Sequence, residues 1–475
     1  MDELRWLDAV GHAELVRRGE ATPAELVEAA IARIEGWNPS LNAVIAPLFD
    51  AGRAAARGAL PDGPLRGVPF LLKDLTAQQA GTPFWCGNGA LRAHGHRSAA
   101  DTALGARFRA AGLITLGKTN VPEFGPQPTT EPLALGATHN PWNLDHTPGG
   151  SSGGSCAAVA AGLVPIAHAN DGGGSIRLPA GWCGLVGLKP SRGRVPLPSD
   201  EVNRNVAELV VARSVRDVAA ALDAVHGPEP GDLYAVPPPA RPFGAELRQP
   251  PGGLRIGLLT RSPLGDVDPE CAGAAEQTAR ALAGLGHTVE EGWPEALFDA
   301  DVGPRTAALW AVDLTRNLRD LARLLGRPVT EADVEPYSWA TAAYAARFSA
   351  ADHLQALAVQ QDYAVRLARW WAGGWDLLLT PTSAEPPPRL GELVPDPAQP
   401  LRVGRRFARI SAFTMPWNVT GQPAISLPLH WTASGLPVGA QLVAAHGRED
   451  LLLRVAAQLE EAMPWSQRRP PATPF

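Results

Sequence analysis

Apolar residues recur every three to four positions after Thr22, and this spacing predicts an amphipathic helix. Thr22-Pro23-Ala24-Glu25 forms a capping box with proline at the first helical position, so the helix begins there and runs through about Glu35. The apolar residues that share one face, at i, i+3, i+4 and i+7, are Val27, Ala30, Ile31 and Ile34. We therefore expect residues 1–65 to form a helical region that packs one face inward.

Short apolar runs alternate with helical patterns over residues 66–227, which predicts alternating strands and helices. Residues 67–72 form an apolar run of the kind found in buried strands, whereas residues 102–111 and 215–226 have helical spacing. Proline is frequent in residues 228–253, including Pro237-Pro238-Pro239, and this composition indicates a semi-rigid connector.

A second set of alternating elements is predicted for residues 254–475. Residues 254–259 have the pattern of a strand, and residues 271–285 form an alanine-rich helical stretch. Helices with aromatic residues along them, placed to cover an active site, are predicted for residues 305–325 and 341–371. Because large α/β enzymes often keep one sheet, we expect one domain over residues 1–475, with the second part completing the sheet.

Composition supports a folded enzyme and disfavours several other classes. Apolar residues make up 45% and charged residues 19% of the 475 positions, which provides enough apolar side chains for a substantial core. Glycine and proline, with 49 and 47 residues, stay below the share that is typical of disordered chains. The net charge of −6 gives no electrostatic reason to expect nucleic-acid binding.

The first residues are acidic and lack the apolar core of a signal peptide, and no apolar run reaches the ~18 residues that a membrane span needs. The cysteines show no C-x-x-C spacing, so buried free thiols are expected at Cys86, Cys156, Cys183 and Cys271. We therefore expect a cytoplasmic enzyme that needs no metal or other cofactor and does not bind membranes.

Two glycine-framed serine clusters carry the candidate chemistry. The first is Gly149-Gly150-Ser151-Ser152-Gly153-Gly154-Ser155, and the second is Asp171-Gly172-Gly173-Gly174-Ser175-Ile176-Arg177. Runs of glycine usually mark unusual backbone angles or the close approach of a ligand. Together the clusters predict a pocket in which backbone amides and hydroxyls converge.

A serine hydroxyl needs an adjacent base to become an effective nucleophile, and the attacked carbonyl needs amide donors for its oxyanion. The glycines before Ser175 are suited to supply those donors. Lys73 is the candidate base, because it follows an apolar run where burial would lower its pKa. A solvent-exposed pair between Lys73 and Asp74 is the alternative. None of the 11 histidines lies in either cluster, and His168, the nearest, is expected to be a core residue.

Three better-known motifs fit this region less well. Residues 149–153 satisfy the G-x-S-x-G pattern of a nucleophile elbow, but that motif needs a strand directly before it. Asn140-Pro141-Trp142-Asn143 and Thr147-Pro148 predict a loop there instead. Ser155-Cys156 lacks the Lys-Ser/Thr ending of a P-loop, and no G-x-G-x-x-G follows a convincing strand.

Lys73 and the two clusters together resemble the amidase signature family. The resemblance extends to four further stretches, residues 117–124, 184–191, 421–428 and 435–439. It covers essentially the whole chain, with a variable middle over residues 228–400. Within the family, Asn170-Asp171-Gly172-Gly173-Gly174-Ser175 and residues 427–431 and 447–452 resemble the branch of 6-aminohexanoate-cyclic-dimer hydrolases.

This resemblance implies an α/β fold with a large mixed, twisted β-sheet flanked by helices on both faces. It implies that Ser175 is the nucleophile that forms an acyl-enzyme. Ser151, which the family precedes with a cis peptide bond, would shuttle a proton between Ser175 and Lys73. Lys73 would act as the general base in its neutral form and then return the proton to the leaving amine.

The resemblance also implies roles for the residues around this triad. The oxyanion hole would consist of the amides of Gly172, Gly173 and Gly174, together with that of Ser175. The supporting residues would be Ser152, Asp171 and Arg177, with the last two as a buried or a solvated ion pair. Candidate substrate contacts are Gly125, Pro126 and the aromatic residues between Trp310 and Trp339, for which core packing is the alternative. Asn170 departs from the threonine that the family commonly has there.

The implied activity is hydrolysis of a linear or cyclic amide with an aliphatic chain, such as an aminohexanoate oligomer. A small-molecule amide is therefore the expected partner, and a homodimer stays an open alternative. Three other functions remain open at this stage. They are the glutaminase subunit of a tRNA-dependent amidotransferase, a Ser-His-Asp esterase that uses Ser151, and a catalytically silent binding protein.

Overall fold

One mixed 11-stranded sheet runs through the protein. The computed structural model describes residues 2–199, 201 and 203–471. The strands are β1 (Val44–Pro47), β2 (Pro69–Lys73), β3 (Ile114–Thr119), β4 (Ile166–Asp171), β5 (Val186–Lys189), β6 (Ala207–Ala212), β7 (Arg255–Leu258), β8 (Thr288–Glu291), β9 (Leu377–Pro381), β10 (Ala424–Trp431) and β11 (Pro437–Ala444). Their order is β1-β3-β2-β4-β6-β5-β10-β11-β9-β7-β8.

The helices that accompany the sheet are α1 (Asp2–Trp6), α2 (Ala9–Arg18), α3 (Pro23–Leu41), α4 (Phe49–Arg57), α5 (Gly89–Ala93), α6 (Ala103–Ala110), α7 (Gly153–Ala160), α8 (Arg177–Cys183), α9 (Val215–Val225), α10 (Phe243–Glu246), α11 (Pro269–Gly284), α12 (Val302–Leu325), α13 (Pro336–Ala345), α14 (Ala350–Ala372), α15 (Gly404–Ile410), α16 (Met415–Thr420) and α17 (Glu449–Ala462). Short 3-10 helices lie at Glu295–Phe298, Glu331–Asp333 and Pro400–Val403.

Two groups of parallel strands flank an antiparallel centre, and the edge strand β1 is antiparallel to its neighbour β3. Strand β2 runs parallel to β3 and β4, and β7 runs parallel to β8 and β9. From β4 through β6, β5, β10 and β11 to β9, every neighbouring pair is antiparallel. Strands β2, β4, β5, β6, β9 and β11 are buried at every residue, so both faces of the sheet are covered there. The predicted mixed α/β fold is confirmed.

Several predicted helices are confirmed, but some of their bounds differ. The capping box at Thr22 is present, and α3 continues to Leu41, beyond the predicted end. The single helix predicted for residues 341–371 was wrong, because the chain leaves the helix after Ala345 and Ser349 starts α14 with a new capping box. The proline-rich connector also contains the short helix α10.

The carboxyl ends of two neighbouring strands bring the candidate residues together. Strands β2 and β4 are parallel neighbours, with Phe70 opposite Ile166, so their carboxyl ends meet. Strand β2 ends at Lys73 and β4 ends at Asp171. Helix α7 begins within the first serine cluster, and α8 begins with the last residue of the second. Both clusters therefore lie beside Lys73 although they are far from it in sequence.

Two further expectations concern the cysteines and membrane-spanning helices. Cys86, Cys156, Cys183 and Cys271 are all buried free thiols, as predicted. None of the helices in the described part of the chain combines the length and the apolar character that crossing a bilayer requires.

Candidate active site

Lys73 is the centre of a buried hydrogen-bonded cluster. Its side chain is fully buried, and its Nζ lies 2.7 Å from Ser151 Oγ and 2.8 Å from Ser152 Oγ. The third partner of Nζ is the side-chain oxygen Oδ1 of Asn170. The exposed pair of Lys73 with Asp74 does not form, because Asp74 is itself fully buried, with Oδ1 3.6 Å from Lys118 Nζ.

Burial makes this lysine a base near neutral pH. Loss of hydration disfavours the ammonium and lowers the pKa of Lys73 to about 7, although the charges of Glu208 and Asp171 oppose the shift. A lysine in water keeps its proton well above pH 7. The neutral amine of Lys73 is therefore accessible where an exposed lysine would be almost entirely charged.

Ser151 lies in the first cluster after a cis peptide bond between Gly150 and Ser151. The segment that faces it contains Gly125, where a methyl group would come within 3.5 Å of Ser151 Oγ. Gly125 has a φ of +84°, which favours glycine. The structure therefore places Gly125 against the cluster, whereas its neighbour Pro126 is exposed.

The second cluster is held by a buried ion pair. Arg177 Nε lies 2.9 Å from Asp171 Oδ2, and both side chains are fully buried, so the pair is not the solvated alternative. The same carboxylate accepts the backbone N–H of Ile176 at 3.1 Å. Asp171 thus fixes the turn that leads from β4 into α8 and carries Ser175.

Ser175 is half-buried within this turn and is not part of the bonded cluster around Lys73. No described residue forms a hydrogen bond with its hydroxyl, so the geometry links Lys73 directly to Ser151 and not to Ser175. A hydroxyl without a protein partner, beside a glycine run, is free to meet a ligand.

The glycine run supplies fewer free amides than expected. The N–H of Gly174, which was expected to be an oxyanion donor, donates to Asp171 Oδ1 at 2.6 Å and so already has a protein acceptor. Within the described residues, the N–H groups of Gly172, Gly173 and Ser175 have no protein acceptor. These three amides remain available to an oxygen atom of a ligand.

Apolar side chains cover this run of glycines. A methyl group on Gly173 would lie 2.7 Å from the Cε of Met415 and 3.7 Å from the ring of Trp310. On Gly172 it would lie 4.0 Å from the same ring. Trp310 belongs to α12, so the predicted helix 305–325 does reach the candidate site. A larger residue at position 173 would therefore displace the side chain of Met415.

Sequence reasoning missed the residues that brace this turn from the far end of the chain. Asn418 Nδ2 donates to the backbone oxygen of Asp171 at 2.8 Å, across 247 positions, and to Asp171 Oδ1 at 2.9 Å. Thr414 Oγ1 donates to the backbone oxygen of Gly173 at 2.8 Å. Asn418 is 1% exposed. No local pattern marks either residue.

Asn170 is the other residue whose place the sequence left undecided. The sequence marked it as a departure from the family's threonine and gave it no role, but its side chain binds Lys73 directly. Its Nδ2 donates to Thr76 Oγ1 at 2.6 Å, which ties the end of β4 to the loop after β2. The departure itself was the signal, because a longer amide at this position reaches the base.

His168 is a core residue, as predicted. Its Nε2 lies 2.6 Å from Glu208 Oε2, and both side chains are fully buried. No described histidine forms a hydrogen bond with Ser151 or Ser175, so the geometry gives no support to a Ser-His-Asp esterase. Among the residues that the structure describes, no group of three or more His, Cys, Asp or Glu side chains is arranged to hold a metal ion.

Comparison with known proteins gives similarity along nearly the whole chain. A family model described as Amidase matches residues 25–453. A 6-aminohexanoate-cyclic-dimer hydrolase from Paenarthrobacter ureafaciens is 48% identical over 478 residues, covering 98% of this chain and 96% of that protein. A solved 6-aminohexanoate cyclic dimer hydrolase complexed with substrate superposes with a TM-score of 0.94 at 47% identity, covering 98% of this chain and 99% of the other. A bacterial aryl acylamidase superposes with a TM-score of 0.88 at 28% identity, covering 99% of each chain.

Proposed function

The chain belongs to the amidase family and is an amide-hydrolysing enzyme, and on this premise we propose that it acts through an acyl-enzyme on Ser175 with Ser151 and Lys73 as its proton relay. One observation carries the proposal. A fully buried lysine, with its pKa lowered to about 7, is hydrogen-bonded to Ser151 beside a turn with free amides. This arrangement fits the activation of a serine hydroxyl without histidine.

In the first half-reaction, Ser175 Oγ attacks the amide carbonyl carbon. Its proton passes to Ser151 Oγ, while the proton of Ser151 passes to Lys73 Nζ. The negative oxygen of the tetrahedral intermediate accepts hydrogen bonds from the free N–H groups of Gly172, Gly173 and Ser175. The carbon–nitrogen bond then breaks, and the leaving nitrogen takes a proton from Lys73 through Ser151. Catalytic hydrogen bonds that are absent in a free enzyme often form only with substrate, and we expect a hydrogen bond from Ser175 to Ser151 to form in that way.

In the second half-reaction, water attacks the ester on Ser175. The water gives its proton to the same relay, and the free acid leaves when Ser175 regains its proton. The relay returns to its starting state after each half-reaction, so no metal or redox group takes part in the scheme.

We propose an amide with an unbranched aliphatic chain, linear or cyclic, as the substrate, with aminohexanoate oligomers as the first candidates. Support comes from the 48% identity to a 6-aminohexanoate-cyclic-dimer hydrolase and from the apolar cover that Trp310 and Met415 place over the glycine run. Burial of a methylene chain against such side chains stabilises the bound substrate by roughly 0.8 kcal/mol per buried CH₂.

A substrate panel tests this proposal. We expect the cyclic and linear dimers of 6-aminohexanoate to have a higher kcat/KM than L-glutamine and acetanilide, with the Ser175→Ala enzyme, purified identically, as the control for contaminating activity. A preference for glutamine would support the glutaminase alternative and contradict the aliphatic assignment. Absence of turnover with all four amides would contradict it as well.

The rate is expected to rise with pH through about 7 and to level off above it. The pKa of Lys73 is lowered to about 7 by burial, so the ammonium, which cannot accept a proton, prevails below that pH and the neutral amine above it. The measurement is kcat/KM from mildly acidic to alkaline pH, with a viscosity control to ensure that chemistry limits the rate. A flat profile, or a rate that falls as pH rises, would contradict the role of Lys73 as base.

A further inference from the structure

We propose that Asn170 and Ser152 are positioning residues that accept both N–H bonds of the neutral Lys73 amine and thereby turn its lone pair towards Ser151. The inference rests on the proposed relay and adds to it the groups that give the relay its direction. Neither residue would touch the substrate. Both would act through Lys73.

Asn170 can only accept from Lys73 in this arrangement. Its Oδ1 faces Nζ, and a carbonyl oxygen has no hydrogen to give. The opposite orientation is blocked at Thr76, whose hydroxyl donates its one hydrogen to the backbone oxygen of Leu75 at 2.6 Å. Thr76 Oγ1 must therefore accept, and it accepts from Asn170 Nδ2 at 2.6 Å. The threonine fixes which end of the amide faces the base.

Ser152 is likewise committed as an acceptor. Its hydroxyl donates to the backbone oxygen of Asn170 at 3.1 Å, which uses its one hydrogen. Towards Lys73 Nζ, 2.8 Å away, Ser152 Oγ can then offer only a lone pair. Two neighbours of the base are thus unable to give it a proton.

The number of hydrogens on Lys73 Nζ then determines where the lone pair of the neutral amine points. A protonated lysine has three N–H donors, and Ser151, Ser152 and Asn170 provide three acceptors. A neutral lysine has two N–H donors and one lone pair. Because Ser152 and Asn170 must accept, the lone pair of the neutral amine points to Ser151, 2.7 Å away. In this neutral state the Ser151 hydroxyl donates to the lone pair, whereas it accepts from the ammonium. The oxygen of Ser151 is then open to a proton from Ser175.

Asn170 is uncharged, whereas several titratable groups lie near Lys73. The groups that act on Lys73 from the neighbouring elements are the carboxylates of Asp171 on β4 and Glu208 on β6 and the thiol of Cys156 on α7. Glu208 is bound to His168 on β4. An amide oxygen can orient the amine without adding a full negative charge that would stabilise the ammonium. An aspartate at position 170 would orient the amine and also favour its protonation.

Two substitutions separate positioning from a structural role. In Asn170→Asp, the rising limb of the kcat/KM profile is expected to move to higher pH by about one to three units, since a carboxylate next to an ammonium stabilises it. In Thr76→Val, which keeps the shape but loses the hydroxyl, kcat is expected to fall by about 10²-fold with little change in KM, because the amide of Asn170 is no longer held. The matched variant Thr76→Ser keeps the hydroxyl and is expected to keep the pH midpoint and most of kcat.

The outcomes distinguish this inference from the function on which it rests. Melting curves first establish that each variant is folded. An Asn170→Asp enzyme with lower rates but an unshifted midpoint, or a Thr76→Val enzyme as active as Thr76→Ser, would overturn the positioning role. A wild-type enzyme that hydrolyses amides with no dependence on Ser175 would overturn the proposed function instead.

Discussion

Replacing Ser175 by alanine is expected to abolish amide hydrolysis and to leave the fold intact. Without the attacking oxygen no acyl-enzyme forms, and kcat is expected to fall by about 10⁴- to 10⁶-fold. Stability should hardly change, because the Ser175 hydroxyl is half-buried and bonds to no described residue, so its removal leaves no buried partner unpaired. Steady-state kinetics on an aminohexanoate amide, with a melting curve for each protein, measures both effects.

The control is Ser434→Ala, the same substitution at an exposed serine in the turn after β10, which should keep the wild-type rate. Ser151→Ala provides a second comparison. It should also be severely impaired, but its Ser175 remains able to react with a strong electrophile. Appreciable turnover by folded Ser175→Ala would contradict the assignment of the nucleophile.

Replacing Arg177 by methionine is expected to have the largest effect on stability. Arg177 donates from Nε and Nη2 to Asp171, from Nη1 to Thr414 O and Gln441 Oε1, and from Nη2 to Asn418 Oδ1. Burial alone would raise the pKa of Asp171, but Arg177 holds it well below its usual range. The substitution leaves this carboxylate buried without its cation, which costs about 3–5 kcal/mol in free energy of unfolding.

Arg323→Met is the matched control, because the side chain of Arg323 is 80% exposed and its ion pair among the described residues is with the nearby Asp320. A surface pair of this kind contributes about 0–1 kcal/mol. Urea unfolding of both variants compares their free energies of unfolding. Amide hydrolysis below the unfolding transition reports whether the second cluster keeps its geometry. Equal unfolding midpoints for the two variants would contradict the role of Arg177 as the brace of the second cluster.

The sequence predicted those parts of the site that lie in continuous motifs. Lys73 was a candidate base from its own segment, because it follows an apolar run. The roles expected for Ser151 and for the pair of Asp171 and Arg177 came from the family resemblance of the glycine-rich motifs that contain them. The fold class followed from alternating patterns together with the family resemblance. The fully buried strand β2 appears as an apolar run that ends at Lys73, because covered faces leave no polar alternation. Strand β4 is equally buried, but His168, Asn170 and Asp171 interrupt its apolar pattern.

The rest depends on contacts between distant parts of the chain. Asn418 and Thr414 reach the second cluster only after the sheet is assembled, and no spacing in their own segment indicates this. The hydrogen bond that occupies the Gly174 amide depends on the orientation of one carboxylate. The break between α13 and α14 was missed because alanine-rich helical spacing continues across it, although Ser349 and Asp352 form a readable capping box.

The central claim is that Ser175 is the residue that becomes acylated. The most direct measurement is intact-mass spectrometry after treatment with a serine-directed fluorophosphonate, followed by peptide mapping of the adduct, with Ser175→Ala as the control. The account predicts one adduct per chain, located on Ser175, absent from the control and formed faster as pH rises through about 7. An adduct on Ser151, or no adduct in a folded sample that hydrolyses amides, would contradict it.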